Sequence, residues 1–85
     1  MKSFECIITD QAGIHARPAG ALVNEAKQYK STIKVQLNGK DAEATKLVAL
    51  MSLGVKQGDR ICVTADGDDE ENAIEAMKKF FAKNF

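Results

Sequence analysis

The dipeptide Asn38-Gly39 lies between an alternating run at residues 32–37 and a short run at about 40–44, and it constrains the fold more than any other feature. Asn-Gly suits a type I′ turn, in which both central residues adopt positive φ, so it joins antiparallel strands. In the run before it, Ile33, Val35 and Leu37 fall on one side and Lys34 and Gln36 on the other. Such a strand has one dry and one wet face. Residues 2–9 and 60–66 read the same way, with Phe4, Cys6 and Ile8 on one face and Ile61, Val63 and Ala65 on another. A sheet with a wet face is antiparallel and takes its cover from the other side only.

Three stretches switch to the helical period. From Ala16 onward, Ala19, Leu22, Val23 and Ala26 form an apolar stripe, with Pro18 in the first turn, where its missing N–H costs nothing. Lys27 and Lys30 lie towards the negative end of that helix. Leu47, Val48, Leu50 and Met51 predict a short helix, capped by Thr45 and closed by Gly54. In the last helix Ala73, Ile74, Met77, Phe80 and Phe81 make a core stripe, and Lys78, Lys79 and Lys83 follow its acidic start. The run Asp66-Gly67-Asp68-Asp69-Glu70-Glu71 lacks the spaced oxygen ligands and closing Glu of a calcium loop, so it reads as solvated, helix-capping charge. The order is βαββαβα in a single domain over residues 1–85: an antiparallel sheet covered by helices on one side.

Twelve basic and twelve acidic residues cancel, which argues against a nucleic-acid binder working through a broad basic surface. No apolar stretch approaches the roughly 20 residues that span a bilayer, and Met1-Lys2-Ser3-Phe4 leads straight into a strand pattern rather than a signal peptide. A cytoplasmic protein is expected. Cys6 and Cys62 lack metal or redox spacing, and strand parity puts them on opposite faces, so they read as free thiols with no metal site.

The chain's one histidine stands in Gly13-Ile14-His15-Ala16-Arg17-Pro18-Ala19-Gly20, where a turn becomes a helix. Imidazole reaches both protonation states near neutrality and can carry a transferred group covalently. The helix start behind it offers unpaired N–H groups and the positive end of the macrodipole. Arg17 adds a fork-shaped cation suited to phosphate oxygens. Together they describe a place to hold a phosphoryl group on a histidine. One histidine, no metal cluster and no glycine-rich nucleotide loop leave no second catalytic group for an independent enzyme.

With Met51-Ser52-Leu53-Gly54-Val55 and the order of elements, the His15-Ala16-Arg17-Pro18 segment makes the chain resemble the HPr family over essentially its whole length. These are the histidine-containing phosphocarriers of the bacterial phosphoenolpyruvate-dependent sugar phosphotransferase system. The resemblance implies an α+β open-faced β-sandwich with a four-stranded antiparallel sheet and three helices on one face. It implies that Enzyme I phosphorylates Nδ1 of His15 and that the group passes to sugar-specific IIA domains, with no cofactor. Arg17 and the amides of Ala16 and Arg17 would hold phosphoryl oxygens, Pro18 would shape the first turn, and Ala12 with Gly13 would keep the approach open. Nothing in this scheme demands more than a monomer.

Partner contact is expected from Gly20, Leu47, Val48 and Met51, with Leu50 and Leu53 mainly inward and with Lys27, Lys40, Lys46 and Lys56 around the patch. Many members carry a regulatory serine where this chain has Lys46, and lysine cannot accept that phosphoryl group. Thr45 lies one residue early and reads as a cap. A dedicated nitrogen-type or dihydroxyacetone-type relay is an alternative reading, as is a non-carrying interaction module, although the latter tends to lose the histidine that is present here.

Overall fold

The computed structural model describes residues 1–85. Strands β1 (Lys2–Ile7), β2 (Thr32–Leu37), β3 (Lys40–Glu43) and β4 (Arg60–Asp66) alternate with helices α1 (Ala16–Ala26), α2 (Leu47–Ser52) and α3 (Glu70–Asn84) in the order βαββαβα. The sheet runs β1-β4-β2-β3, and each neighbouring pair is antiparallel. The Asn38-Gly39 turn has positive φ at both residues, 52° and 84°, and brings Leu37 opposite Lys40.

Register sorts the side chains. Phe4 faces Val63 and Cys6 faces Ile61 across β1 and β4, while Val35 faces Val63 across β2 and β4. Directly opposed residues share a face, so these belong to the covered side. Glu5, Cys62 and Gln36 line up on the other face. Cys6 and Cys62 are therefore on opposite faces, and both are free. The covered side meets Ala19, Leu22, Val23 and Ala26 of α1, Leu50 of α2, and Ala73, Ile74, Met77 and Phe81 of α3 in one cluster of 21 buried residues. Helix α1 buries its apolar stripe, α3 most of its own and α2 Leu50 against the same sheet face, which is the open-faced sandwich expected.

Four local expectations need correction. The first strand ends at Ile7 rather than residue 9, because the Thr9 amide turns away to the Phe85 carbonyl. Strand β3 stops at Glu43, although the Ala44 amide still reaches Ile33 O at 2.8 Å. Lys46, not Thr45, occupies the N-cap of α2, and no side chain caps that helix. Lys46 N closes a turn on Glu43 O at 3.0 Å and Lys46 O accepts from Leu50 N at 3.0 Å, which displaces Thr45 outward to an exposed position. Finally, the Asp69 side chain does not cap α3. Its carboxylate crosses to the α1–β2 connection and accepts from Lys30 N at 2.8 Å, Ser31 N at 2.9 Å and Ser31 Oγ at 2.5 Å.

Candidate functional site

The turn before α1 is built from short-range chemistry and then fastened from outside. Asp10 Oδ1 accepts from Ala12 N at 2.8 Å, a side-chain-closed turn, and Gly13 N donates to Asp10 O at 3.0 Å. Gly13 has φ +66°, and a Cβ there would stand 2.2 Å from the Val55 carbonyl oxygen. Its smallness therefore serves close packing on residues 55–56; Gly13 is buried, whereas Ala12 is exposed. Ile14, also buried, donates its amide to Val55 O at 3.3 Å. The segment that supports this turn is itself closed by Asp59, whose Oδ2 accepts from Lys56 N at 2.8 Å, and Gln57 Nε2 reaches Thr9 O at 3.1 Å.

This scaffold delivers His15 to the N-cap of α1 with extended backbone, φ −121° and ψ 177°. Its ring makes no cap bond and is half-buried. The first intrahelical bond runs from Ala19 N to His15 O at 2.9 Å. The amides of Ala16 and Arg17 therefore have no intrahelical acceptor, and Pro18 has no N–H to lose. Ala16 and Arg17 are exposed. Two free amides and the positive end of an eleven-residue helix thus follow His15 directly, with a guanidinium two residues on, and this set suits a dianion.

His15, Arg17 and Pro18 line an open depression of about 490 Å³ together with Asp10, Ala21, Lys83 and Asn84. Sequence periodicity gave Lys83 only a place near a helix end. Nothing local signals that α3, fifteen residues long, returns its last turn to the start of α1. Arg17 has no carboxylate partner, since the chain's ion pairs are Met1 with Glu70 and Lys78 with Glu75. No group of three or more His, Cys, Asp or Glu side chains is placed to hold a metal ion.

The other sequence candidates sit on a neighbouring surface. Helices α1 and α2 pack together. On α2, Leu50 is fully buried, whereas Leu47, Val48 and Met51 are 39%, 79% and 44% exposed. Leu53 is half-buried and Gly20 half-exposed, and Lys27, Lys40, Lys46 and Lys56 are all exposed. Lys27 ends α1 as its C-cap. No helix is long and apolar enough to cross a membrane.

Comparison with known proteins gives this geometry a context. The profile of the family described as "PTS HPr component phosphorylation site" matches residues 2–83. The phosphocarrier protein HPr of Mycoplasma genitalium is 45% identical over 85 residues, covering 99% of this chain and 97% of that protein. A histidine-containing phosphocarrier protein of Mycoplasma superposes with a TM-score of 0.93 at 36% identity, covering 96% of this chain and 93% of its own. HPr-C-His from Thermoanaerobacter tengcongensis gives a TM-score of 0.92 at 38% identity, with 98% and 93% covered.

Proposed function

The chain belongs to the HPr family of phosphocarriers of the phosphotransferase system, and from that premise we propose that His15 accepts a phosphoryl group from Enzyme I and passes it to IIA domains. The observation that carries this reading is His15 at the open N-cap of α1, with the free amides of Ala16 and Arg17 and the unpaired Arg17 guanidinium beside it. The phosphorus–nitrogen bond is labile, so the protein needs to supply position and charge rather than a second catalytic group. Nδ1 of the ring forms the new bond, as the family resemblance implies. Pro18 fixes φ in the first turn and Ala12 leaves the approach open.

The exposed Leu47, Val48 and Met51 beside Gly20 give the partners an apolar landing surface, and Lys27 and Lys46 suit acidic partners and speed encounter. The carrier works as a monomer in the cytoplasm, where its two free thiols fit the reducing conditions. It lacks serine-type kinase control, because Lys46 stands at that position and Thr45 lies outside the helix start.

Incubation with Enzyme I, Mg²⁺ and phosphoenolpyruvate should place acid-labile phosphate on the unaltered protein and none on His15→Ala. Equal labelling of the two would refute the proposal. Arg17→Glu should slow transfer about tenfold or more without loss of fold, by removing a charge-assisted contact and adding a like charge. Incubation with HPr kinase and ATP should leave no acid-stable phosphate; its appearance on Thr45 would overturn the regulatory part alone.

A further inference from the structure

The last turn of α3 is fastened to the turn that presents His15. The Phe85 carbonyl accepts from Thr9 N at 2.5 Å, from Asp10 N at 3.1 Å and from Thr9 Oγ1 at 2.8 Å. Within the helix end, Phe85 N donates to Phe81 O at 2.9 Å and Asn84 Nδ2 to Phe80 O at 3.0 Å. These bonds place Lys83 on the wall of the depression that holds His15 and Arg17. Lys83 is exposed and, like Arg17, has no carboxylate partner.

From this arrangement we infer that Lys83 is a second cation for the phosphoryl group on His15, supplied by a different helix from Arg17. The inference rests on the carrier reading above. A phosphoryl group brings close to two negative charges. It enters a depression that already contains Asp10, whose carboxylate is held in place by the Ala12 amide. Arg17 alone leaves this charge underbalanced, and Lys83 brings the cations to two. The two cations differ in use. Arginine offers a rigid fork, whereas lysine is a point charge on a flexible stem that can follow a group as it moves between donor and acceptor. During transfer the ring nitrogen's lone pair forms the P–N bond, the bond from phosphorus to the donor breaks, and its electron pair stays with the donor. Lys83 forms no covalent bond and moves no proton.

A lysine in the last turn of a helix also offsets the macrodipole, and that role alone would affect stability but not the phosphoryl group. The test therefore reads the phosphoryl group itself, which a purely structural role would leave unchanged. Unaltered protein, Lys83→Gln and Lys83→Arg are phosphorylated with Enzyme I, Mg²⁺ and phosphoenolpyruvate. Initial rates are recorded, and the ³¹P resonance of each purified phosphoprotein is followed against pH. Lys83→Gln should slow transfer about two- to fivefold, the range of an exposed charge contact. It should also raise the midpoint of the phosphoryl titration by about half a pH unit, since losing a nearby cation disfavours the dianion. Lys83→Arg should restore both readouts. An unchanged ³¹P titration in Lys83→Gln overturns the inference while labelled His15 leaves the carrier reading standing. Absence of His15 phosphate on the unaltered protein overturns the carrier reading and this inference with it.

Discussion

At Gly13 a single hydrogen in place of a methyl group decides where the His15 turn sits. An alanine Cβ would press to 2.2 Å from Val55 O and 2.9 Å from the Lys56 Cα, on a backbone already at positive φ. Gly13→Ala should cost about 2–3 kcal/mol, measured as a lower denaturant midpoint with unchanged slope, and should slow transfer by shifting His15. Gly20 is the contrasting case. It lies within α1, and an added Cβ meets nothing within 4 Å. Gly20→Ala should therefore raise stability by about 0.5–1 kcal/mol through helix propensity. Slower transfer in that more stable variant would show that a partner approaches Gly20 closely. The two glycines look alike in sequence; the difference comes from a carbonyl some forty residues away in the chain.

Helix α2 divides its side chains between two tasks. Leu50 is fully buried while Val48 is 79% exposed. Leu50→Ala should cost about 2–5 kcal/mol, whereas Val48→Ser should change stability by under about 0.5 kcal/mol and act only on partner transfer. This division was readable from spacing, since burial at i and exposure two residues earlier follows the helical period. The helix starts were less readable. Thr45 has the chemistry of a cap, but a turn between Glu43 and Lys46 sets the start one residue later. Asp69 is likewise a good cap by type, yet Lys30 and Ser31 from another part of the chain take its oxygens. The Ser31 hydroxyl first, and then the Lys30 amide, hold its carboxyl below the ordinary value. A lowered folded pKa stabilises the native state above the unfolded value, near 3.9, and that stabilisation is lost as pH falls through the folded value. Denaturation measured from pH 7 to pH 2 should show falling stability below about pH 4, and Asp69→Asn should flatten that fall. An equally steep acid limb in the variant would count against the Asp69 contact.

Local periodicity gave the strands, the three helices and their shared dry face, because each depends on neighbours two to four residues apart. His15 and Arg17 were legible as candidates from their chemistry instead, because they stand together in the sequence at a helix start. Periodicity could not place Lys83, Val55 or Phe85 around the His15 turn, because these arrive from distant segments only once the sheet has closed. The β1 and β4 strands pair across about sixty residues, and Phe85 reaches back 76 residues to Thr9. The site is thus a product of closure. Phe85 is buried and packs on Phe81, with ring centroids 5.0 Å apart, and Phe81 meets Phe4 of β1 at 6.0 Å. Truncating Phe85 should loosen this aromatic seam first and the His15 turn with it. Phe85→Ala is expected to cost about 2–4 kcal/mol, towards the lower part of the range for a large buried ring because it lies at a helix end. Hydrogen exchange should show faster exchange at the Thr9 and Asp10 amides, which donate to the Phe85 carbonyl, than at the β2–β4 pairing. Uniform loss of protection along the chain would mean that the turn has no opening of its own. Selective loss, with slower phosphoryl transfer, would show that the helix end holds the His15 turn in place.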